Sequence, residues 1–213
     1  MTTFKCLAGV LGAAVLSTLT TTSAWAEDSG FYLGVDAGGS QAPSSLRLSA
    51  DNITLVSRDG RTTEFSWAFN TGYRFNRFVA LELSYVDLGK LVAPLAGVGA
   101  ATAGQGTYSF SAKGLRLAAV GSFPVGHWEP YLKAGVLRAK VEASLSGTDG
   151  SSAFDIERYT STSSLFAGLG THYDIGTRWV VGLELDHYGL IGRYHTTGAL
   201  SKDALTFGLA YRF

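Results

Sequence analysis

A strict alternation of residue types limits the fold of this chain more than any other feature. Along the last nine residues, large apolar side chains take one face of an extended strand and small or polar ones take the other. The same period of two recurs through residues 65–74, 79–86 and 179–186. The face opposite the large residues is rich in glycine, alanine and serine. This pattern predicts β-strands with one small-residue face.

Eight such segments are predicted, the other four lying near residues 31–39, 108–123, 128–141 and 163–173. The connections between them alternate in length. The long ones span residues 41–62, 88–106, 144–158 and 189–202. The tight ones lie at residues 76–77, 124–127 and 174–177. This alternation predicts antiparallel strands in up-and-down order, with every long connection at the same end.

The placement of large residues favours a barrel whose outer wall faces lipid over a soluble sandwich. An eight-stranded lumen is only wide enough for its own side chains, which suits the small-residue face. No segment after residue 26 has 18 uninterrupted apolar residues, so a transmembrane helix is not expected there. Aromatic residues gather at the strand ends nearest the tight turns, as at a membrane interface; they are Phe31, Phe75, Phe78, Phe123, Trp128, Tyr173, Trp179 and Phe213. We expect an all-β fold, an eight-stranded antiparallel up-and-down transmembrane β-barrel.

Residues 1–26 have the pattern of a cleaved secretory signal peptide. Lys5 precedes an uncharged stretch from Cys6 to Leu19, and residues 24–26 supply the small residues that a signal peptidase reads. An uncleaved N-terminal membrane anchor is the alternative. The expected organisation is a signal peptide, 1–26, followed by one β-barrel domain, 27–213. Because Cys6 is the only cysteine, no disulfide or thiolate site is expected after cleavage.

Several stretches resemble the OmpA-like family of small outer-membrane barrels. The run WAFNTGYRFNRFVALELSY at 67–85 is similar to the family's second hairpin, PYLKAG at 130–135 to its fifth strand and AGLGTHYDIG at 167–176 to its sixth. The resemblance implies export to the cell outer membrane. It also marks the C-terminal face as an assembly signal, formed by Phe207, Leu209, Tyr211 and Phe213. The chain ends at the eighth strand, so the peptidoglycan-binding domain of many members is not expected.

Inward parity predicts a luminal ion-pair network, formed by Asp36, Glu82, Arg116, Lys133, Glu184 and Asp186. A lone buried charge costs several kcal/mol, so Lys133 is expected to face Glu82 or Glu184. Arg116 and Asp186 are expected nearer the external side. The simpler interpretation is a structural plug that fixes the barrel shape. The OmpA-like resemblance implies an alternative, a narrow ion-conducting pore gated by these pairs.

Signatures of catalysis and ligand binding are weak. None of the four histidines, at 127, 172, 187 and 195, has a serine two residues later, as the lipid A deacylases of this barrel size have. His187 near the external rim keeps a lipid A-modifying enzyme as a second alternative, although we expect no enzyme. Metal-ligand spacing and a phosphate loop are both missing, so no metal or cofactor is expected. Equal numbers of basic and acidic residues, 17 each, give no basic field for nucleic acid.

Basic residues near the external rim suit lipopolysaccharide phosphates, because arginine pairs readily with phosphate. Ordinary solvated charge is the alternative. The candidates are Arg58, Arg61, Arg138, Lys140, Arg158 and Arg193. We expect a monomeric outer-membrane barrel with a role in envelope integrity and surface interaction. Its expected partners are outer-membrane lipid and lipopolysaccharide, the outer-membrane assembly machinery, and host or envelope surfaces that the external loops contact.

Overall fold

The computed structural model describes the backbone of residues 29–41, 47–50, 53–56, 63–96, 105–148, 153–193 and 198–213. The signal peptide expected at 1–26 lies outside these residues, and so do Arg58, Arg61 and His195. No helix among the described residues is long and apolar enough to cross a membrane.

The described residues form ten β-strands. The strands are β1 (Gly30–Gln41), β2 (Arg47–Ala50), β3 (Ile53–Val56), β4 (Thr63–Asn76), β5 (Val79–Ala96), β6 (Gln105–Ser122), β7 (Trp128–Thr148), β8 (Ala153–Ile175), β9 (Trp179–Arg193) and β10 (Gly198–Arg212). Eight of them close a barrel in the order β1-β10-β9-β8-β7-β6-β5-β4. Every neighbouring pair is antiparallel, and β1 joins both β4 and β10. The predicted eight-stranded up-and-down barrel is therefore confirmed.

The two faces of the wall differ as the alternation predicts. Large apolar side chains stand exposed on the outside, where Leu117 is 45% and Leu132 is 58% accessible. Their neighbours along the strand point inward, and Ala118 and Lys133 are 1% and 3% accessible. A closed barrel leaves no unpaired strand edge, and its apolar outer wall is suited to hydrocarbon rather than water.

Three short turns lie at one end of the barrel, here called the turn end. The Asn76 side chain accepts hydrogen bonds from the amides of Phe78 (2.8 Å) and Val79 (2.9 Å), which fixes the β4–β5 turn. Gly126 and Gly176 take φ values of 64° and 73° in the other two turns, a region that residues with a Cβ disfavour. The eight predicted girdle aromatics are all at least 37% exposed, each near this end or a terminus.

At the opposite end, called the hairpin end, the strands run further than the sequence predicted. The connections expected at 88–106 and 144–158 are largely strand, because β5 and β6 reach Ala96 and Gln105 while β7 and β8 reach Thr148 and Ala153. We call residues 88–96, 105–112, 141–148 and 153–160 the crown. Residues 155–159 are exposed on both faces, so no apolar alternation marks this part of β8. The expected loop 41–62 also contains an unpredicted hairpin, β2–β3.

Candidate functional site: the lumen

Arg116 is almost completely enclosed in the lumen. Its side chain is 1% exposed, and its guanidinium nitrogens lie 3.3 Å from Glu82, 3.4 Å from Glu184 and 2.5 Å from Asp186. These residues come from β6, β5 and β9, so the contacts cross the barrel interior. A planar guanidinium has five donors in fixed directions and can serve several carboxylates at once.

Lys133 on β7 completes the group. Its ammonium nitrogen lies 2.5 Å from Glu184 and 3.4 Å from Glu82. We call Glu82, Arg116, Lys133, Glu184 and Asp186 the central cluster. Two cations and three carboxylates give it a formal charge of 2 − 3 = −1. Because it ties four strands together across the lumen, it fixes their relative positions.

Asp36, the sixth predicted luminal residue, is held differently. Its carboxylate accepts a hydrogen bond from the Asn70 side-chain amide at 2.5 Å, while the ion pairs of the described residues leave it out. Asn70 also accepts a hydrogen bond from Arg116 at 3.5 Å. Asp36 therefore reaches the central cluster through an amide instead of a direct charge contact.

Three tyrosines hydrogen-bond the carboxylates of the central cluster. Tyr32 donates to Glu82 (3.0 Å), Tyr131 to Glu184 (2.6 Å) and Tyr188 to Asp186 (3.1 Å). Gly72 and Gly170 leave room for two of these rings, because a Cβ at either position would collide with Tyr32 or Tyr131. The sequence did not predict a role for these tyrosines, although they share the inward parity of the luminal charges.

On the hairpin side of the central cluster, the lumen is filled with apolar side chains. Phe166 covers Arg116, whose guanidinium carbon lies 5.0 Å from the ring centre. Further residues pack beyond it, all at most 6% exposed, and we call this group the apolar plug: Val86, Leu88, Leu91, Phe110, Ala112, Leu137, Ala139, Val141, Phe166 and Ile191. Lys202 lies beside the plug and donates to the Leu88 carbonyl at 2.7 Å. Packing of this kind excludes water from the part of the lumen on the hairpin side of the central cluster.

The turn side of the central cluster is polar and contains a cavity of about 50 Å³. One water molecule needs roughly 10–15 Å³ of such a cavity, so this one has room for a few water molecules. Below it, Glu129 accepts from Arg74 at 2.6 Å and from Arg212 at 2.8 Å, and Arg212 reaches Asp174 at 2.8 Å. We call these four residues the turn-end network. Inward parity could have found it, but it was not predicted.

The candidate catalytic residue His187 lies outside the lumen. Its Nδ1 is 2.6 Å from Asp203 on the outer wall, and the two side chains are 65% and 64% exposed. No hydroxyl group of the described residues completes a triad with this pair. Within the same residues, no cluster of three metal-ligating side chains occurs.

The predicted outer-surface residues are spread over three strands. Arg138 and Lys140 point outward from β7 and Arg158 is exposed in the crown, while Arg193 is the last residue of β9. These four do not form one group. The predicted assembly face lies on the outer wall of β10, with Phe207 69%, Leu209 44% and Phe213 71% exposed and Tyr211 packed against Phe213.

Residues 11–213 match the family model described as "outer membrane protein beta-barrel domain". Among solved structures, Neisserial surface protein A is 19% identical, with 88% of this chain and all of that chain covered and a TM-score of 0.52. The outer membrane protein OprG from Pseudomonas aeruginosa is 12% identical, covering 89% of this chain and 97% of that chain, with a TM-score of 0.51. At these identities the likeness shows a shared fold. A comparison with curated protein sequences finds no match.

Proposed function

Because the chain belongs to the outer membrane protein β-barrel domain family, we propose that it is a plugged, non-catalytic barrel that supports envelope integrity and presents its crown to other surfaces. The apolar plug carries this proposal. A barrel that is filled across its width acts as a rigid element of the membrane, whereas a pore needs a hydrated path. We assign the hairpin end to the outside of the cell, following the loop asymmetry of such barrels.

The plug argues against a pore gated by the central cluster. An ion that passed between Lys133 and Glu184 would next meet Phe166, Leu137 and Phe110, which are 4%, 0% and 0% exposed. Apolar constrictions block ions even when they are wide enough, because the ion cannot keep its hydration shell. Even if the ion pairs of the central cluster opened, the apolar plug would therefore still block the ion.

Conductance in planar bilayers tests this reasoning. We expect no discrete openings from the refolded barrel or from Lys133→Ala, which removes one cation of the central cluster. We expect none from Phe110→Ala either, because the cluster then remains closed. Heat-modifiable gel migration verifies that each variant is folded. Channel openings that change with Lys133→Ala in a folded barrel would overturn the plug.

The crown supports the proposed surface role. It is an extension of four consecutive strands, β5 to β8, whose outermost pairs join Ala96 to Gln105 and Thr148 to Ala153. Tyr159 is 66% and Ile156 45% exposed there, so apolar groups are offered to solvent on a hydrogen-bonded platform. Exposed aromatic and aliphatic groups on a rigid support are typical of contact surfaces.

Cysteine labelling on intact cells tests the orientation. Cys6 is the only cysteine and lies in the predicted signal peptide, so a single introduced cysteine is the sole target. A membrane-impermeant maleimide is expected to label Tyr159→Cys in the crown. The matched control is Val125→Cys, which is similarly exposed at 70% but lies in a turn and should react only after lysis. Labelling in the reverse order would contradict the assignment.

Deletion of the gene in its own bacterium tests the envelope role. We expect higher uptake of a hydrophobic fluorescent probe and greater sensitivity to detergent, both restored by the wild-type gene. A second variant replaces residues 143–158 by Asn-Gly, closing a two-residue turn between the paired Glu142 and Tyr159. This shortened variant should restore the barrier, because it keeps the membrane-spanning wall and every residue of the apolar plug. An unchanged barrier in the deletion strain would contradict the envelope role.

We further propose that the C-terminal face of β10 engages the assembly machinery. Phe207, Leu209 and Tyr211 lie on the outer wall of β10 and Phe213 follows it directly, so a partner could reach all four before the barrel closes. Phe213→Ala should lower the folded fraction in cells while leaving refolding in detergent unchanged. Equal folding yields in cells would remove this role.

A further inference from the structure

The basic residues of the outer wall are concentrated on β6 and β7. Lys113 on β6 lies directly opposite Lys140 on β7 in the strand register, and Arg138 is the next outward residue of β7. All three side chains are exposed, Lys113 by 51%. Arg138 and Lys140 were two of six scattered sequence candidates, whereas Lys113 was not among them. The register therefore defines a compact group, called the basic patch, of Lys113, Arg138 and Lys140.

The basic patch lies about one membrane thickness away from the aromatic residues of the turn end, at the height of the opposite membrane interface. Arg138 lies ten residues along β7 from the girdle residue Trp128, and Lys113 lies ten residues along β6 from Phe123. Ten residues at about 3.3 Å each, tilted by about 40°, rise about 25 Å, which is the height of the apolar band of such barrels. Immediately below the patch, the outward row is wholly apolar: Leu83, Leu117, Val136 and Leu165.

The charge of the patch is not balanced by the protein. Two lysines directly opposite each other on one face of a sheet repel one another. Asp87 lies 3.2 Å from Lys113, but no carboxylate of the described residues forms an ion pair with Arg138 or Lys140. The other charged groups facing outward nearby are Lys90 and Glu142. With four cations and two carboxylates, this part of the wall has a formal charge of 4 − 2 = +2.

Hydroxyl groups border the basic patch on its β8 side. Ser161 lies opposite Lys140 and Ser163 opposite Arg138, both exposed on the outer wall. Cations with adjacent hydroxyl donors match the several acceptor oxygens of a phosphate. The apolar row beneath them matches hydrocarbon chains. A single molecule that carries phosphate directly above acyl chains therefore matches both the basic patch and the apolar row beneath it.

We propose that the basic patch binds the phosphates of the lipid A part of lipopolysaccharide, with the acyl chains lying along the apolar row below. This inference rests on the proposed orientation of the barrel, with its hairpin end outside the cell. It extends the envelope role by giving the barrel a fixed attachment to the outer leaflet. The phosphate bridges the opposed lysines, and Arg138 and the serines supply further donors.

Lipid retention on the intact barrel tests the site. Folded barrel in phosphatidylcholine nanodiscs is mixed with bisphosphorylated lipid A, with the same glycolipid lacking both phosphates, or with inorganic phosphate. Native mass spectrometry then counts what the released barrel retains. We expect lipid A to bind at least tenfold more tightly than its dephosphorylated form, and inorganic phosphate not to be retained. The triple variant Lys113→Gln, Arg138→Gln, Lys140→Gln should lose at least tenfold in lipid A affinity.

The matched control removes two exposed arginines at the turn end, Arg77→Gln and Arg178→Gln, and should leave lipid A affinity unchanged. If the triple variant does not fold, Lys140→Gln alone is expected to weaken binding at least threefold. Equal binding by wild type and triple variant, or equal binding of dephosphorylated lipid A, would overturn the proposal. Retention of inorganic phosphate at the same affinity would replace it with a free-anion site. Labelling at Tyr159→Cys is independent of these results, so failure of the lipid site and failure of the orientation are distinguishable.

Discussion

Removal of the Arg116 charge should be among the most damaging single changes in this barrel. In Arg116→Met a side chain of similar length remains, but three carboxylates lose their guanidinium partner and the central cluster changes from a charge of −1 to 1 − 3 = −2. Removing one partner of a buried ion pair costs about 3–5 kcal/mol. Because Lys133 still serves two of the three carboxylates, we expect about 4 kcal/mol of the free energy of unfolding to disappear. At a denaturant slope of about 2 kcal/mol per molar, the urea midpoint falls by about 2 M.

Tryptophan fluorescence during urea unfolding of the barrel in lipid vesicles measures this loss. Arg178→Met is the matched control, because Arg178 is exposed and, among the described residues, its side chain donates only to the Tyr211 hydroxyl at 2.8 Å. Its expected cost is below about 1 kcal/mol. Adding Asp186→Asn to Arg116→Met returns the cluster to 1 − 2 = −1 and should recover about 1–3 kcal/mol. A cost for Arg116→Met no larger than for Arg178→Met would refute the reasoning, since the carboxylates would then be solvated without it.

Three further changes test other parts of the lumen by the same unfolding measurement. Phe110→Ala should cost about 3–5 kcal/mol, because the ring is completely buried and leaves a cavity; a cost below about 1 kcal/mol would mean that the plug is loosely packed. Glu129→Gln should cost about 1–3 kcal/mol, since Arg74 and Arg212 both lose their charged acceptor, and Glu129→Asp should recover part of it. Gly135→Val should prevent heat-modifiable folding, because a Cβ there collides with the backbone of Leu117 and Ala118, whereas Gly126→Asn in an open turn should fold.

The alternation predicted the membrane-spanning wall well, because each side chain there has only two surroundings, lipid or lumen. Leu183 and Glu184 illustrate this, at 39% and 8% exposure on successive residues. The inward direction of the luminal charges follows from parity, and the number and order of the strands follow from parity together with the alternating lengths of the connections. The partners of Lys133, Glu82 and Glu184, were also expected, because a buried charge must be paired. The partners of Arg116 were not, because contacts across a lumen depend on the stagger between strands. Arg116 was expected to lie nearer the external side than Lys133, yet it touches three carboxylates.

The strand extensions and the luminal tyrosines were harder to predict, for different reasons. Residues 155–159 at the far end of β8 are exposed on both faces, so no alternation of polarity marks them and they resemble a loop in the sequence. Tyr131 is large and looks unsuited to a narrow lumen. It fits because Gly170 on β8 lies directly opposite it, a pairing that only the register reveals. The turn-end network was not predicted, although Arg74, Glu129 and Arg212 share the inward parity of the central cluster.

The pairing of the first barrel strand with the last has a consequence for biogenesis. Val35 on β1 pairs with Leu209 on β10, so the final seam joins residues from opposite ends of the chain. Until that seam forms, both terminal strands carry amide and carbonyl groups that hydrocarbon cannot satisfy. Insertion into the membrane and closure of the barrel must therefore proceed together, because an open, partly formed barrel is unstable in the bilayer. A chain without β10 could not close in the same way, because β9 runs parallel to β1 and would leave β1 without its antiparallel partner.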